Sequence, residues 1–361
     1  MWPDKRILDL FGIEHPILLG PMAGAIDYVL ASEVAEGGGL GSIPCAMLTP
    51  DTAREQIARY RERTKKPLNV NFFCHTPPVP DNAREASWRD RLRPYYVELG
   101  LDPNAPINAI TRAPFDEAFC ALMEETRPEV VSFHFGLPPE ALLKRVKAIG
   151  GKIISSATTA AEARWLEDRG VDAVIAQGNE AGGHRGIFLS DDVAADISKQ
   201  PGTFALVPQV VDAVKVPVIA AGGIADGRGI AAAFALGAAA VQIGTAFLHC
   251  PESKISDMHR KALAESADDS TVLTNLITGR PARGIVNRLI REQGPMAEVP
   301  PFPLATAAVA PLRAAAEKAG SGDFSPLWSG QAAALGKPVA AAALTRELAA
   351  DGLARLKAVA W

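Results

Sequence analysis

Short apolar runs alternate along this chain with longer stretches in which apolar and polar residues repeat at helical spacing. The apolar runs fall at 17–22, 40–44, 68–73, 130–136, 152–157, 173–178, 216–222 and 240–247. Gly, Pro, Asn or Ser closes most of them, and Ala-rich amphipathic stretches follow at 26–36, 51–65, 138–149, 159–169 and 226–236. Strands that are apolar throughout, rather than at every second position, are covered on both faces and belong to a parallel sheet. Strands alternating with helices make that sheet an α/β one. Eight such units predict a (β/α)8 TIM barrel. An open, doubly wound sheet is the second choice, because its glycine fingerprint follows the first strand. Here the glycine-dense turns come late.

Two regions break the rhythm. Residues 76–115 carry seven prolines (Pro77, Pro78, Pro80, Pro94, Pro103, Pro106 and Pro114) and many charges. They read as an excursion after the third strand, helical around 83–93. Residues 250–319 contain two helix-like stretches and then the proline-rich stop PMAEVPPFP (295–303). The expected organisation is therefore a barrel built from 1–249 and 320–361, with a small helical substrate-binding lobe at 250–319. The Ala-rich stretch 331–358 supplies the eighth outer helix.

Composition changes this picture little. With 361 residues, 48% of them hydrophobic and 22% charged, the chain has ample material for a core. A net charge of −4 and a pI near 5.9 leave no footprint for nucleic acid or an anionic membrane. Residues 230–248 are uncharged and nearly long enough to span a bilayer, but Gly237, Gln242 and Gly244 favour a buried helix followed by a buried strand. Charged residues at the N-terminus argue against a signal peptide, and the reading is a cytoplasmic protein. Cys45, Cys74, Cys120 and Cys250 lie too far apart for a metal motif or a disulfide framework.

Barrel enzymes carry their chemistry at the C-terminal ends of the strands. The seventh strand runs into Gly222-Gly223 and the helix opening at Asp226-Gly227, and the eighth into Gln242-Ile243-Gly244-Thr245. Paired glycines bring backbone N–H groups close to an anion, and a helix N-terminus adds its dipole, so these two turns predict a phosphate site. The sixth strand ends in Gln177-Gly178-Asn179-Glu180-Ala181-Gly182-Gly183-His184. Gln177 offers an amide to a ring edge, Gly182 and Gly183 let a planar ligand lie against backbone, and His184 projects into the mouth. Glu180 reads as a cap or loop residue. Asn69 and Asn71 share one face of the third strand, with Asn71 nearer the mouth. Met22-Ala23-Gly24 end the first strand with small residues beside the same space. His134, near the end of the fourth strand, divides evenly between packing and function, as does His75. His15, His249 and His259 read as surface or hinge residues. Amides, glycines and one histidine without metal ligands suit a redox cofactor that brings its own chemistry.

These residues resemble a known family. GPMAG (20–24), NVNFF (69–73), QGNEAGGHRG (177–186), AAGGIADGRG (220–229) and QIGTAF (242–247) are similar to segments of nitronate monooxygenases, formerly called 2-nitropropane dioxygenases. PLRAAAE (311–317) and DFSPLWSGQAAA (323–334) resemble the bacterial class I branch. The resemblance implies an FMN-binding barrel that oxidises alkyl nitronates such as propionate 3-nitronate with dioxygen, through a flavin semiquinone, to a carbonyl compound and nitrite. It implies FMN contacts at Met22, Asn71, Gln177, Gly182, Gly222, Gly223, Gln242, Gly244 and Thr245, to which the reading of small residues adds Ala23 and Gly183. His184 corresponds to the active-site histidine, as a base or as a polar contact to an anionic substrate, and an anion beside it would favour its protonated form. His134 and Phe302 are expected near the substrate. Phe302 stands where the branch often has a tyrosine, so Tyr95 and Tyr96 are alternative contributors. The rival readings are an NAD(P)H-dependent flavin reductase of quinones or enoyl thioesters, an IMP dehydrogenase-like enzyme using Cys74 or Cys250, and a flavin-binding sensor without turnover. A homo-oligomer stays open.

Overall fold

The computed structural model describes residues 1–106 and 112–359 and contains all eight predicted strands. They are β1 (Ile17–Leu19), β2 (Gly41–Pro44), β3 (Leu68–Phe73), β4 (Val130–His134), β5 (Lys152–Ala157), β6 (Ala173–Gln177), β7 (Val218–Ala221) and β8 (Ala240–Ile243). Each pairs in parallel with its neighbours in chain order, and β8 returns to β1. Bonds from Leu19 N–H to the Leu40 carbonyl and from Leu40 N–H to the Ile17 carbonyl, both 2.9 Å, close the ring between β1 and β2. The molecule is a TIM barrel.

One helix follows each strand: α1 (Tyr28–Glu36), α2 (Pro50–Arg63), α3 (Glu117–Thr126), α4 (Glu140–Ala148), α5 (Ala160–Asp168), α6 (Thr203–Ala213), α7 (Gly227–Ala235) and α8 (Ala341–Val359). Short polar side chains start most of them. Asp27, Asp116, Thr159 and Asp226 cap α1, α3, α5 and α7, and Thr49 with Thr52 forms a capping box on α2. The uncharged 230–248 segment divides between α7, β8 and the short helix Thr245–Leu248. Among the described residues, no helix is long and apolar enough to cross a membrane. Helices α3 and α6 escape the pattern reading. The first begins just past the proline-rich excursion, and the second carries Pro208 in an apolar stretch, where a proline ordinarily stops a helix.

The pleat sorts side chains into two layers. Leu68, Val70 and Phe72 of β3 point outward into the core between sheet and helices. Leu18, Val130, Ile154, Ile175 and Ile219 point inward, and the N-terminal helix Arg6–Phe11 seals the barrel floor with Ile7 and Phe11. Toward the other end the inward positions turn polar. Asn69 donates to Ser42 Oγ (2.9 Å), and Asn71 donates to Ser132 Oγ (3.0 Å).

A second core joins Trp88, Leu92 and Tyr96 to Leu276, Leu289, Val309 and Phe324. The excursion helix Asn82–Glu98 thus packs with the 250–319 segment. That segment holds three helices, Asp257–Ala264, Arg288–Gln293 and Ala305–Lys318. It also holds two strands that its composition does not announce, Thr271–Thr274 and Ala282–Ile285. Ala282–Ile285 pairs antiparallel with Gly183–His184, so a lobe strand is hydrogen-bonded to the histidine-bearing loop.

Candidate functional site

The inward residues at the strand ends open into a cavity of about 540 Å³. Its wall includes Met22, Ala23, Asn71, His134, Gln177, Gly182, Gly183, His184, Gly222, Gly223, Gln242, Gly244 and Thr245. Only Phe302 of the predicted residues stands behind the wall, buried and edge-on to His184 with ring centres 5.2 Å apart.

At one end the wall is backbone. Gly222 (φ 114°) and Gly223 (φ 69°) occupy conformations that side chains resist. A Cβ on Gly222 would lie 2.8 Å from Thr203 Oγ1, whereas one on Gly183 or Gly244 would project into nearly open space. Among the described residues, the N–H groups of Gly222, Gly223 and Gly244 donate to nothing. The helix contribution differs from expectation. Asp226 accepts from the N–H groups of Arg228 and Gly229, and Asp351 accepts from Gly227 N–H, so the start of α7 is already satisfied. An anion here would meet the glycine turns rather than that helix. Glu180 fills its expected capping role by accepting from Thr203 N–H at the start of α6 (2.7 Å). Between the two ends Gln242 Oε1 is buried without a partner, an acceptor facing a cavity that lacks its donor.

At the other end stands His184. Its carbonyl accepts from Gln177 Nε2 (3.0 Å) and lies 3.1 Å from His134 Nε2. A carbonyl only accepts, so His134 carries its proton on Nε2, and its Nδ1 accepts from Ser156 Oγ at 2.6 Å. Burial pushes His134 down to about 3, in keeping with a neutral ring whose two nitrogens are both engaged. His134 and Gln177 therefore line the cavity with their polar atoms already engaged, His134 by the loop and by Ser156, Gln177 by the loop alone: Gln177 Oε1 also accepts from Gly186 N–H (2.8 Å). Below the loop the fully buried Arg185 donates to the Gln177 carbonyl (2.7 Å), to Gln200 Oε1 (2.9 Å) and to the Gly178 carbonyl.

The His184 ring is partly open to the cavity yet ringed by Phe73, Phe135, Phe302 and Trp328, with centres 5.2–6.1 Å away. Its Nε2 lies 2.9 Å from Thr278 Oγ1, which is itself 3.3 Å from the Arg280 carbonyl. A hydroxyl has one hydrogen, and spending it on that carbonyl makes Nε2 the donor. Nδ1 then has a free lone pair and no partner among the described residues. Loss of hydration, then the positive charge of Arg112, holds His184 well below its ordinary value. Unliganded His184 is thus neutral, and fixed positive charge near it comes from arginine.

Several residues depart from the sequence reading. Tyr95 and Tyr96 sit in the second core, where Tyr96 donates to the Ala308 carbonyl (2.7 Å) and Tyr95 accepts from Gln293 (2.7 Å). His259 is buried, not superficial, and lies 3.1 Å from the Trp328 carbonyl. His75 packs edge-on against Phe302, where burial pushes it down to about 4. Phe73, Arg112, Thr278 and Trp328 escaped notice as isolated residues, although Phe73 and Trp328 lay inside quoted motifs. Burial pushes the Cys250 thiol up to about 12 and the Cys74 thiol well above its ordinary value, which leaves neither a ready nucleophile.

The model of the family described as nitronate monooxygenase matches residues 4–351. The chain belongs to that family. A nitronate monooxygenase of Pseudomonas aeruginosa is 42% identical over 346 residues, covering 95% of this chain and 97% of the relative. One from Paraburkholderia phytofirmans is 42% identical over 347 residues, covering 95% and 94%. A nitroalkane oxidase of Streptomyces ansochromogenes, known from crystal structures, superposes with a TM-score of 0.89 at 37% identity, covering 98% of this chain and all of that one. FabK from Thermotoga maritima shares the architecture at TM-score 0.73 and 30% identity, covering 98% and 97%. As a nitronate monooxygenase family member this chain is an oxidoreductase, and the family is flavin-dependent.

Proposed function

We propose that this family member holds FMN and oxidises alkyl nitronates, such as propionate 3-nitronate, with dioxygen to a carbonyl compound and nitrite. The observation that carries the reading is the division of one cavity into an anion-ready end and an imidazole end. The residues present fit the cofactor. Unused N–H groups at Gly222, Gly223 and Gly244 suit a phosphate, and the unpartnered Gln242 Oε1 suits a ring N–H. Met22, Ala23 and Gly183 leave space for a planar ring, Gly182 lines the same cavity with its free side taken up by the Ser329–Gly330 backbone, and Asn71 and Thr245 add polar edges. Bound there, FMN supplies the electron acceptor for the nitronate and the route to dioxygen.

The protein's own part is orientation and exclusion of water. His134, Gln177 and the lobe strand Ala282–Ile285 clamp the His184 backbone. The aromatic ring around His184 keeps its imidazole neutral, with Nε2–H held by Thr278 and the Nδ1 lone pair left for the substrate.

Anaerobic addition of propionate 3-nitronate to the FMN-reconstituted protein should diminish flavin absorbance near 450 nm, with recovery and nitrite release on admitting air. An unchanged spectrum with nitronate, together with rapid bleaching by NADPH, would move the assignment to a flavin reductase.

A further inference from the structure

The charges on the cavity wall are mostly spoken for. Lys254 pairs with Asp27 at 3.3 Å and Arg313 with Glu317 at 2.7 Å, and the Glu180 carboxylate is occupied by Thr203. Arg112 differs. It lines the cavity, forms no ion pair among the described residues, and has a buried Nε with no partner there. Its guanidinium stands over the Phe302 ring at 5.8 Å, and Phe302 is the ring packed edge-on against His184. Arg112 therefore brings a positive charge to the imidazole end. The other charged or titratable groups around it do not cancel it. Arg280 lies over Phe135, His75 and His134 are neutral neighbours, and Arg313 is already paired. Burying a cation without a counterion is costly, and an anion entering the cavity offsets that cost.

We propose that Arg112 is a substrate-binding residue: it contacts the anionic oxygens of the nitronate at the imidazole end of the cavity. The inference rests on the nitronate reading above but concerns a residue outside every motif that supports that reading. Arginine suits the task because its planar fork matches two oxygens on one atom. The same chemistry extends to other planar oxyanions, of which nitrate is a non-reacting example.

The test compares wild type with Arg112→Gln and Arg112→Lys, all loaded with FMN. With ethyl nitronate as substrate, Arg112→Gln should raise KM about thirtyfold while kcat changes much less, since the contact is made in the ground state as well. Nitrate binding, followed by isothermal titration, should weaken by a similar factor. Apparent affinity for neutral nitroethane should stay put, and Arg112→Lys should recover part of the loss because it keeps the charge but not the fork. An unchanged KM and an unchanged nitrate affinity in Arg112→Gln would overturn the proposal. If wild type turns over no nitronate, the functional reading fails on its own, and the nitrate titrations still decide the anion contact. Should Arg112→Gln fold poorly, the nitrate affinity of Arg112→Lys against wild type carries the test, with complete loss in the lysine variant counting against a simple charge contact.

Discussion

The two ends of the cavity are built in opposite ways. The glycine end comes from contiguous turns at the tips of β7 and β8, and its working groups are backbone N–H. The imidazole end is collected from β3, the loop after β4, the excursion, the His184 loop and the lobe, and its working groups are side chains. A site made of backbone needs only permission from the sequence, which glycine grants at specified positions. A site made of side chains from five segments needs the whole fold in register before any of its properties exist. The first end is therefore sensitive to single added atoms, and the second to changes of charge and shape spread over the molecule.

The sharpest way to break the glycine end is Gly222→Ala. The new Cβ would meet Thr203 Oγ1 at 2.8 Å in a φ of 114°, a strained backbone costing about 1–3 kcal/mol. FMN affinity should fall up to about a hundredfold. Retention of wild-type affinity in a fluorescence titration would show that the turn does not hold the cofactor.

The imidazole end and its surroundings are exposed by pH. All six histidines lie below their ordinary value, and burial is the first cause in each case. Their depressed native values mean that the unfolded chain binds protons below about pH 6.5 that the native chain refuses. Stability is thus fully present above that pH and is lost as pH falls. The loss is about 2 kcal/mol at pH 5 for a fully suppressed histidine such as His134, and His184 adds in the same direction. Calorimetry should find Tm falling from pH 7 to pH 5. A Tm that rises over that interval would place these rings in a different protonation state.

At the centre of that end, His184→Asn should leave FMN bound and lower nitronate turnover about tenfold or more, because the glycine end is untouched. Unchanged turnover in stopped-flow or steady-state assays would remove His184 from the chemistry. The smallest effect belongs to Tyr96→Phe. It deletes one hydroxyl hydrogen bond to the Ala308 carbonyl and should cost about 1 kcal/mol in urea unfolding without changing kcat/KM. A loss of activity there would return the excursion tyrosines to the site.

The same contrast explains what could be read from the chain beforehand. All eight barrel strands and the residues of the glycine end were legible because apolar run length, period and glycine placement are local properties. The small sheet was not. Ala282–Ile285 and Gly183–His184 are short, contain glycine, and owe their pairing to a loop about a hundred residues away in sequence. Arg112 and Trp328 carry no local sign of their role, because only the assembled tertiary fold brings them to the cavity. The start of α7 misled for a physical reason: a helix N-terminus attracts anions, and here Asp226 is the anion that already occupies it.

The central claim is that the glycine turns grip a phosphate while the ring lies beside His184. Comparing FMN with riboflavin, which lacks the phosphate, tests it most directly through quenching of flavin fluorescence by the apoprotein. FMN should bind at least about a hundredfold more tightly, the worth of two or three charge-assisted hydrogen bonds. Equal affinities for the two flavins would contradict the account.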